Sequence, residues 1–194
     1  MKSLSIIATL VIAALSLGVF FAFPEATSIF AFSGQTFYRG EIYRLFTFPF
    51  THASSGHLIE NLLALAMTTF LAYEVGLRDG YFIFCFLGAS FLIALSESPF
   101  FPTLLIAGAS VGIVSILGFI SIKGSNFIPK FLLIPILLLP LTIKYGLTVW
   151  ERGFSFVSGA EFIFHFSGFV AGIMFFYSFK LLRKEKRILQ GVKA

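Results

Sequence analysis

Long apolar runs separated by short polar segments dominate the pattern of this chain. A helix of about 20 apolar residues crosses the hydrocarbon core of a bilayer, and each run approaches that length. The six runs cover residues 4–23, 57–75, 80–96, 101–122, 127–148 and 160–180. The pattern therefore predicts an all-α membrane protein with six transmembrane helices. Residues 24–56 remain as a long loop between the first two helices, which we expect to form a partly embedded flap.

The composition supports a membrane protein with little soluble structure. Of the 194 residues, 58% are hydrophobic and 12% are charged, whereas soluble domains carry roughly 25% charged residues. The first run is longer than the core of a signal peptide and lacks a small-residue cleavage site, so we interpret it as a membrane helix. With no internal repeat or linker visible, residues 1–194 are expected to form a single polytopic membrane domain that ends in a basic tail at 181–194.

The basic residues predict the orientation of the bundle. With six spans, ten of the fourteen Lys and Arg residues fall on the side of the two termini. These ten are Lys2, Arg78, Lys123, Lys130, Lys180, Arg183, Lys184, Lys186, Arg187 and Lys193. The positive-inside rule then places both termini in the cytoplasm. The net charge of +5 is therefore explained by topology and by contact with the lipid bilayer, and no nucleic-acid motif accompanies it.

Two motifs place polar side chains inside apolar runs, where ionisable groups are candidates for function. His57 and Asn61 are four residues apart in "HLIEN", so a helix presents both on one face as hydrogen-bond donors. Ser110 lies in "GASVG" within the fourth run. Each motif also has a structural explanation. The pair could serve helix packing near the interface, and a lone serine usually bonds to a carbonyl of its own helix.

A third motif is "HFSGFVAG", in which His165, Gly168 and Gly172 share one helical face. Two glycines four residues apart let another backbone approach closely, and we expect Gly108 and Gly112 of the fourth span to supply the matching surface. Such packing could bring Ser110 and His165 within hydrogen-bonding distance, as an activated nucleophile with its general base. Helix packing without chemistry explains the glycines equally well.

Together these three motifs resemble the rhomboid family of intramembrane serine proteases, and the resemblance covers about residues 43–178. It implies a six-helix bundle and a serine-type endopeptidase that cleaves transmembrane segments of other proteins. Ser110 would be the nucleophile and His165 the general base. His57 and Asn61 would stabilise the oxyanion together with the backbone N–H of Ser110. No metal or cofactor is implied.

The resemblance extends to other positions and to location. His52 is similar to an auxiliary histidine of some family members. An aromatic residue often stands four positions after the serine in this family, whereas this chain has Val114 there. We expect a multi-pass protein of a prokaryotic cell membrane.

The sequence also admits other interpretations. A catalytically inactive rhomboid-like protein that binds membrane clients would keep the fold, but it would lack the serine or the histidine. A small transporter could use Pro135 and Pro140 in a broken helix, although no internal repeat accompanies them. Other intramembrane proteases fit poorly, because Asp79 is the only aspartate and no H-E-x-x-H motif is present. The three histidines could in principle bind a metal.

Overall fold

A computed structural model describes residues 4–189, and these residues are helical with no strand among them. In chain order the helices are α1 (Leu4–Ala22), α2 (Ala26–Phe30), α3 (Gly34–Tyr38), α4 (Arg44–Thr47), α5 (Ser55–Glu74), α6 (Asp79–Glu97), α7 (Ser110–Lys123), α8 (Lys130–Arg152) and α9 (Phe156–Leu189). Short 3₁₀ turns follow α4 at Phe48–Phe50 and α7 at Gly124–Asn126. The prediction of an all-α membrane protein is confirmed.

Within the described residues, four stretches are long and apolar enough to cross a membrane. They are Ser5–Ala22, Asp79–Glu97, Lys130–Glu151 and Phe156–Arg183. The stretch Ser110–Asn126 is apolar but shorter. The total of six spans therefore stays a prediction.

The start of α7 differs from the sequence pattern. The apolar run begins at residue 101, but residues 101–109 form a loop and the helix begins only at Ser110. Gly108 adopts φ +110°, a conformation that ends any regular helix and that suits glycine alone. Hydrophobicity does not separate a helix in lipid from a loop packed on protein: Phe101, Leu104 and Ile106 are partly buried against a core cluster, whereas Leu105 is exposed.

Helix α7 lies at the centre of the bundle and packs against α5, α6, α8 and α9. Buried residues occur on every side of it, including Ile113, Ile116, Phe119 and Ile120. A helix that is apolar all round requires this surrounding protein. Ser110, the first residue of α7, is therefore held by a helix that neighbouring helices surround.

Glycines let α7 and α9 touch through their backbones. A Cβ atom on Gly172 would overlap the carbonyl of Ser115, and one on Gly118 would overlap the carbonyl of Phe169. A Cβ on Gly168 would lie 2.9 Å from the carbonyl oxygen of Val111. The predicted glycine face of α9 therefore does pack closely against α7.

The partners of Gly168 and Gly172 are not the ones expected. Gly112 faces α6, where a Cβ would lie 2.5 Å from the Phe86 carbonyl oxygen. Gly108 lies in the loop and faces α5. The expectation of a glycine surface on α7 that matches α9 is thus corrected. Gly112 and Gly118 are six positions apart on α7, so they point in directions about 120° apart around the helix axis.

Four backbone hydrogen bonds tie the loop before α7 to the α1–α5 connection, and one of them runs from the N–H of Gln35 to the carbonyl of Pro102 at 2.7 Å. Phe32 and Ile106 form an isolated antiparallel bridge, with N–O distances of 2.9 Å and 2.7 Å. The N–H of Gly108 donates to the carbonyl of Phe48 at 2.9 Å. The chain that leads into Ser110 is therefore fixed by residues far away in sequence.

We expect Gly172→Ala to destabilise the protein, because the new methyl group would overlap a main-chain carbonyl that cannot rotate away. Overpacking of this kind costs about 1–3 kcal/mol, which should lower the melting temperature of the purified chain in detergent micelles. Gly146→Ala is the matched control, since nothing lies within 4 Å of a Cβ at that position on α8. Equal melting temperatures for Gly172→Ala and the parent would contradict the contact.

Candidate active site

A cavity of about 470 Å³ lies among α5, α7, α8, α9 and the loop before α7. Ser110, His57 and His165 all line it. The structure thus brings together three polar side chains that are up to 108 positions apart in sequence. A polar cavity at the end of an apolar helix can hold the water that a hydrolysis consumes.

Ser110 is the first residue of α7 and is half-buried. The first turn of an α-helix leaves its N–H groups without partners inside the helix, and this end carries the positive pole of the helix dipole. Negative charge that develops beside Ser110 would therefore meet unpaired N–H donors. The location at N1 also keeps the hydroxyl at the edge of the cavity.

His57 and Asn61 converge on Gly108. A Cβ on Gly108 would lie 2.8 Å from Nε2 of His57 and 3.7 Å from Nδ2 of Asn61. The two side chains therefore lie against the backbone two residues before Ser110. Asn61 is buried and donates one N–H to the carbonyl of His57 at 2.8 Å. His57 lines the cavity, whereas Asn61 is not among the residues that line it.

The Nδ1 atom of His165 has two neighbours. It lies 2.6 Å from the carbonyl oxygen of Glu161 and 2.8 Å from the hydroxyl oxygen of Tyr145. A carbonyl can only accept, so the tautomer with hydrogen on Nδ1 satisfies the contact with Glu161. The lone pair then lies on Nε2, the nitrogen that a general base would use.

Ser110 and His165 share the cavity without a direct bond. The described residues contain no hydrogen bond between the two side chains. Catalytic hydrogen bonds are often long before a substrate is bound. The two side chains therefore lie in one site but are not hydrogen-bonded to each other in this structure.

Two neighbours of His165 were not identified from the sequence. Tyr145 is buried on α8 and packs with its ring centroid 5.9 Å from that of His165. Glu161 takes part through its main chain, which no side-chain motif reveals. The only signal for Tyr145 was a hydroxyl group within an apolar run.

Val114 leaves the position four after the serine without an aromatic ring, and Tyr145 provides one from another helix.

An ion pair joins two of the helices around the cavity. Nζ of Lys144 on α8 lies 2.7 Å from Oε2 of Glu60 on α5. The two side chains are 50% and 60% exposed, and ion pairs this exposed contribute only about 0–1 kcal/mol. This link between α5 and α8 is therefore easy to break.

His52 packs beside His57 in the loop before α5. The two ring centroids lie 5.1 Å apart with an interplanar angle of 64°. Burial, together with the neighbouring His57, lowers the pKa of His52 to about 4, and the Phe50 carbonyl acts in the opposite direction. Neither ring nitrogen has a hydrogen-bond partner of good geometry among the described residues. His52 is thus a neutral ring that supports His57.

These features define a helical membrane protein with a polar cavity in which a serine, a histidine and oriented donors meet. The chain belongs to the rhomboid family, since the Rhomboid domain model matches residues 39–184. It is also similar to Rhomboid-type serine protease 2 of Podospora anserina, with 30% identity over 162 residues. That match covers 78% of this chain and 54% of the relative, so the chain spans about half the relative's length. The family predicted from the three motifs is confirmed.

Proposed function

We propose that this protein is an intramembrane serine endopeptidase that cleaves transmembrane segments of other membrane proteins. The observation that carries the proposal is the shared cavity of Ser110 and His165, together with the engagement of His165 Nδ1. With hydrogen on Nδ1, the Nε2 lone pair is available to remove a proton from Ser110. Membership of the rhomboid family and the name of the relative agree with a protease.

In the first half of the proposed reaction, Oγ of Ser110 attacks the carbonyl carbon of the scissile bond while His165 Nε2 takes the hydroxyl proton. The carbonyl electrons move to oxygen and form a tetrahedral oxyanion. When the oxyanion collapses, the C–N bond breaks and the imidazolium gives its proton to the leaving amine. An acyl-enzyme and a free amino terminus result.

In the second half, a water molecule in the cavity attacks the ester carbon and His165 takes one of its protons. The second tetrahedral intermediate releases Ser110, which recovers the proton, and a carboxylic acid leaves. This second half alone consumes water, which the cavity must therefore admit, and both halves use the same base. No metal or cofactor enters either half.

We assign the oxyanion to the space between the start of α7 and His57. The backbone N–H of Ser110, the imidazole of His57 and the second side-chain N–H of Asn61 would donate to it. Preorganised hydrogen-bond donors of this kind each stabilise the transition state by roughly 3–4 kcal/mol in mutational tests. The contacts of His57 and Asn61 with Gly108 support this placement.

The substrate would enter between α5 and α8. The Lys144–Glu60 ion pair links these helices near the cavity, and Pro135 and Pro140 lie inside α8. Proline removes helix hydrogen bonds and favours bending, which suits a side gate. A substrate helix must unwind locally to expose a carbonyl, so small or helix-breaking residues are expected near the cut. Both termini would lie in the cytoplasm of a prokaryotic cell.

We expect Ser110→Ala and His165→Ala each to lower cleavage of a model transmembrane substrate on the order of 10⁴-fold or more. Fluorophosphonate labelling provides the direct test, because the reagent phosphonylates only an activated serine. Mass spectrometry of the parent should find the label on Ser110, and His165→Ala should prevent it. Ser178→Ala is the control, because that hydroxyl is exposed on α9 and bonds within its own helix.

Absence of both cleavage and Ser110 labelling in the parent would reject the protease and favour the inactive, client-binding alternative. Labelling of Ser110 that persists in His165→Ala would reject the assignment of the base.

We expect Asn61→Ala to lower kcat by about 10²–10³-fold, as loss of an oxyanion donor does elsewhere. The KM should change little, because the charge being stabilised exists only in the transition state. Gln35→Ala, which removes an exposed amide on α3, should leave both constants unchanged. A rise in KM with kcat preserved would show that Asn61 serves substrate binding or packing.

We expect Tyr145→Phe to lower kcat by roughly two- to tenfold, the equivalent of one hydrogen bond of about 0.5–1.5 kcal/mol. Tyr145 would act as a positioning residue, because its hydroxyl touches His165 and its ring is kept in the variant. The KM and the melting temperature should stay close to those of the parent. Tyr38→Phe, at an exposed tyrosine on α3, is the control. An unchanged kcat for Tyr145→Phe would contradict the positioning role of this hydroxyl group.

A further inference from the structure

A second, larger cavity lies at the other end of α7. Its volume is about 820 Å³, and residues of α6, α7, α8 and α9 and the segments beside them line it. Five basic side chains border it: Arg78, Lys123, Lys130, Lys180 and Arg183. No Asp or Glu lines it among the described residues. The proposed proteolysis makes no use of this site.

The five positive charges are not neutralised by the described part of the chain. The two ion pairs found there, Arg44–Glu41 and Lys144–Glu60, involve none of them. Asp79 lies next to Arg78 in sequence, but its carboxylate accepts the N–H of Ser5 at 2.8 Å. As far as the described side chains go, this charge is therefore available to an anion from outside the chain.

Two guanidinium groups gather at one aromatic ring. Cζ of Arg183 lies 4.9 Å and Cζ of Arg78 lies 5.6 Å from the ring centroid of Tyr81. Lys123 lies close enough to Arg183 for the two charges to repel each other. Like charges that converge from three segments repel one another, and a bound anion would relieve this repulsion.

The wall beneath these cations is aromatic. Tyr81 stacks on Phe179 with centroids 4.4 Å apart, and Phe119 packs against Phe176 at 5.2 Å. A small inorganic anion would use only the charged rim. An amphiphile would place an anionic head at the rim and an alkyl chain against the rings. The apolar stretches Asp79–Glu97 and Phe156–Arg183 each have one end at this cavity, so we infer that it lies at the level where headgroups meet the hydrocarbon core.

We propose that this cavity binds the phosphate headgroup of an anionic phospholipid. The basic residues hold the phosphate, and the aromatic wall receives the glycerol backbone and the start of an acyl chain. Basic pockets between transmembrane helices suit such headgroups. The positive-inside rule alone requires cations near these helix ends, but it does not require them to border one cavity with an aromatic wall.

Thermal unfolding of the purified full chain in detergent micelles tests the proposal. The three additives are dioctanoyl phosphatidylglycerol, dioctanoyl phosphatidylcholine and inorganic phosphate. We expect phosphatidylglycerol to raise the melting temperature with a half-saturating concentration at least about tenfold below that of phosphatidylcholine. Inorganic phosphate should have little effect at the same concentrations. Because the readout does not involve proteolysis, this result is independent of the proposed function.

Charge-removing variants locate the site. Lys123→Gln and Arg183→Gln should each weaken the phosphatidylglycerol effect about fivefold. Arg39→Gln is the matched control, because that exposed residue lies in the loop at the other end of the bundle. Lys130→Gln and Lys180→Gln change exposed residues that border the same cavity. They replace Lys123→Gln or Arg183→Gln as the test if one of those variants does not fold.

Three outcomes would overturn the proposal. Equal stabilisation by the two lipids would mean that the headgroup charge is not recognised. An undiminished phosphatidylglycerol effect in the cavity variants would mean that the cations serve topology alone. Equal stabilisation by inorganic phosphate would identify a free anion as the ligand in place of a lipid.

Discussion

The backbone contact between α7 and α9 sets the geometry on which the candidate site depends. Gly168 faces Val111, and Gly172, one turn later, faces Ser115, so the two helices run past each other in a fixed register. His165 precedes Gly168 by three residues and shares its face, which places the imidazole at the level where α7 begins with Ser110. A larger side chain at either glycine would move α9 outward and carry the proposed base away from the nucleophile. In a membrane, where hydrophobic driving force between helices is weak, such close packing is a principal source of association.

Gly108 imposes the second constraint. Its φ of +110° turns the chain so that α7 can start two residues later, and its lack of a side chain leaves room for His57 and Asn61. Its N–H is bonded to Phe48, which ties the turn to the connection between α1 and α5. One glycine thus joins three separate parts of the chain beside Ser110. The sequence motif contains this residue, but helical spacing alone assigns it to a helix face.

Sequence reasoning succeeded where one-dimensional periodicity reports a face of a helix. His57 with Asn61, and His165 with Gly168 and Gly172, were each placed correctly on one face, because helical spacing needs no knowledge of the partner. It failed where the outcome depends on which other segment packs against the residue. The loop at 101–109 resembled a helix because burial in protein and burial in lipid demand the same apolar residues. The neighbour of Gly112 proved to be Phe86, and Tyr145 met His165 from α8, since which helices become neighbours is a property of the packed bundle.

The surroundings of His165 reflect what a membrane allows. A buried carboxylate would orient the imidazole strongly, as in soluble serine proteases, but an ionised group at membrane depth is costly. The one aspartate, Asp79, lies at the other end of the bundle and accepts the N–H of Ser5. Two neutral acceptors, the Glu161 carbonyl and the Tyr145 hydroxyl, fill the place of the carboxylate at Nδ1. They fix the ring without a buried charge, and they stabilise an imidazolium less. Because Tyr145 belongs to α8, any movement of that helix toward or away from α5 would also change the support of the proposed base. The proposed substrate entry and the proposed proton transfer would then be linked through one hydroxyl group.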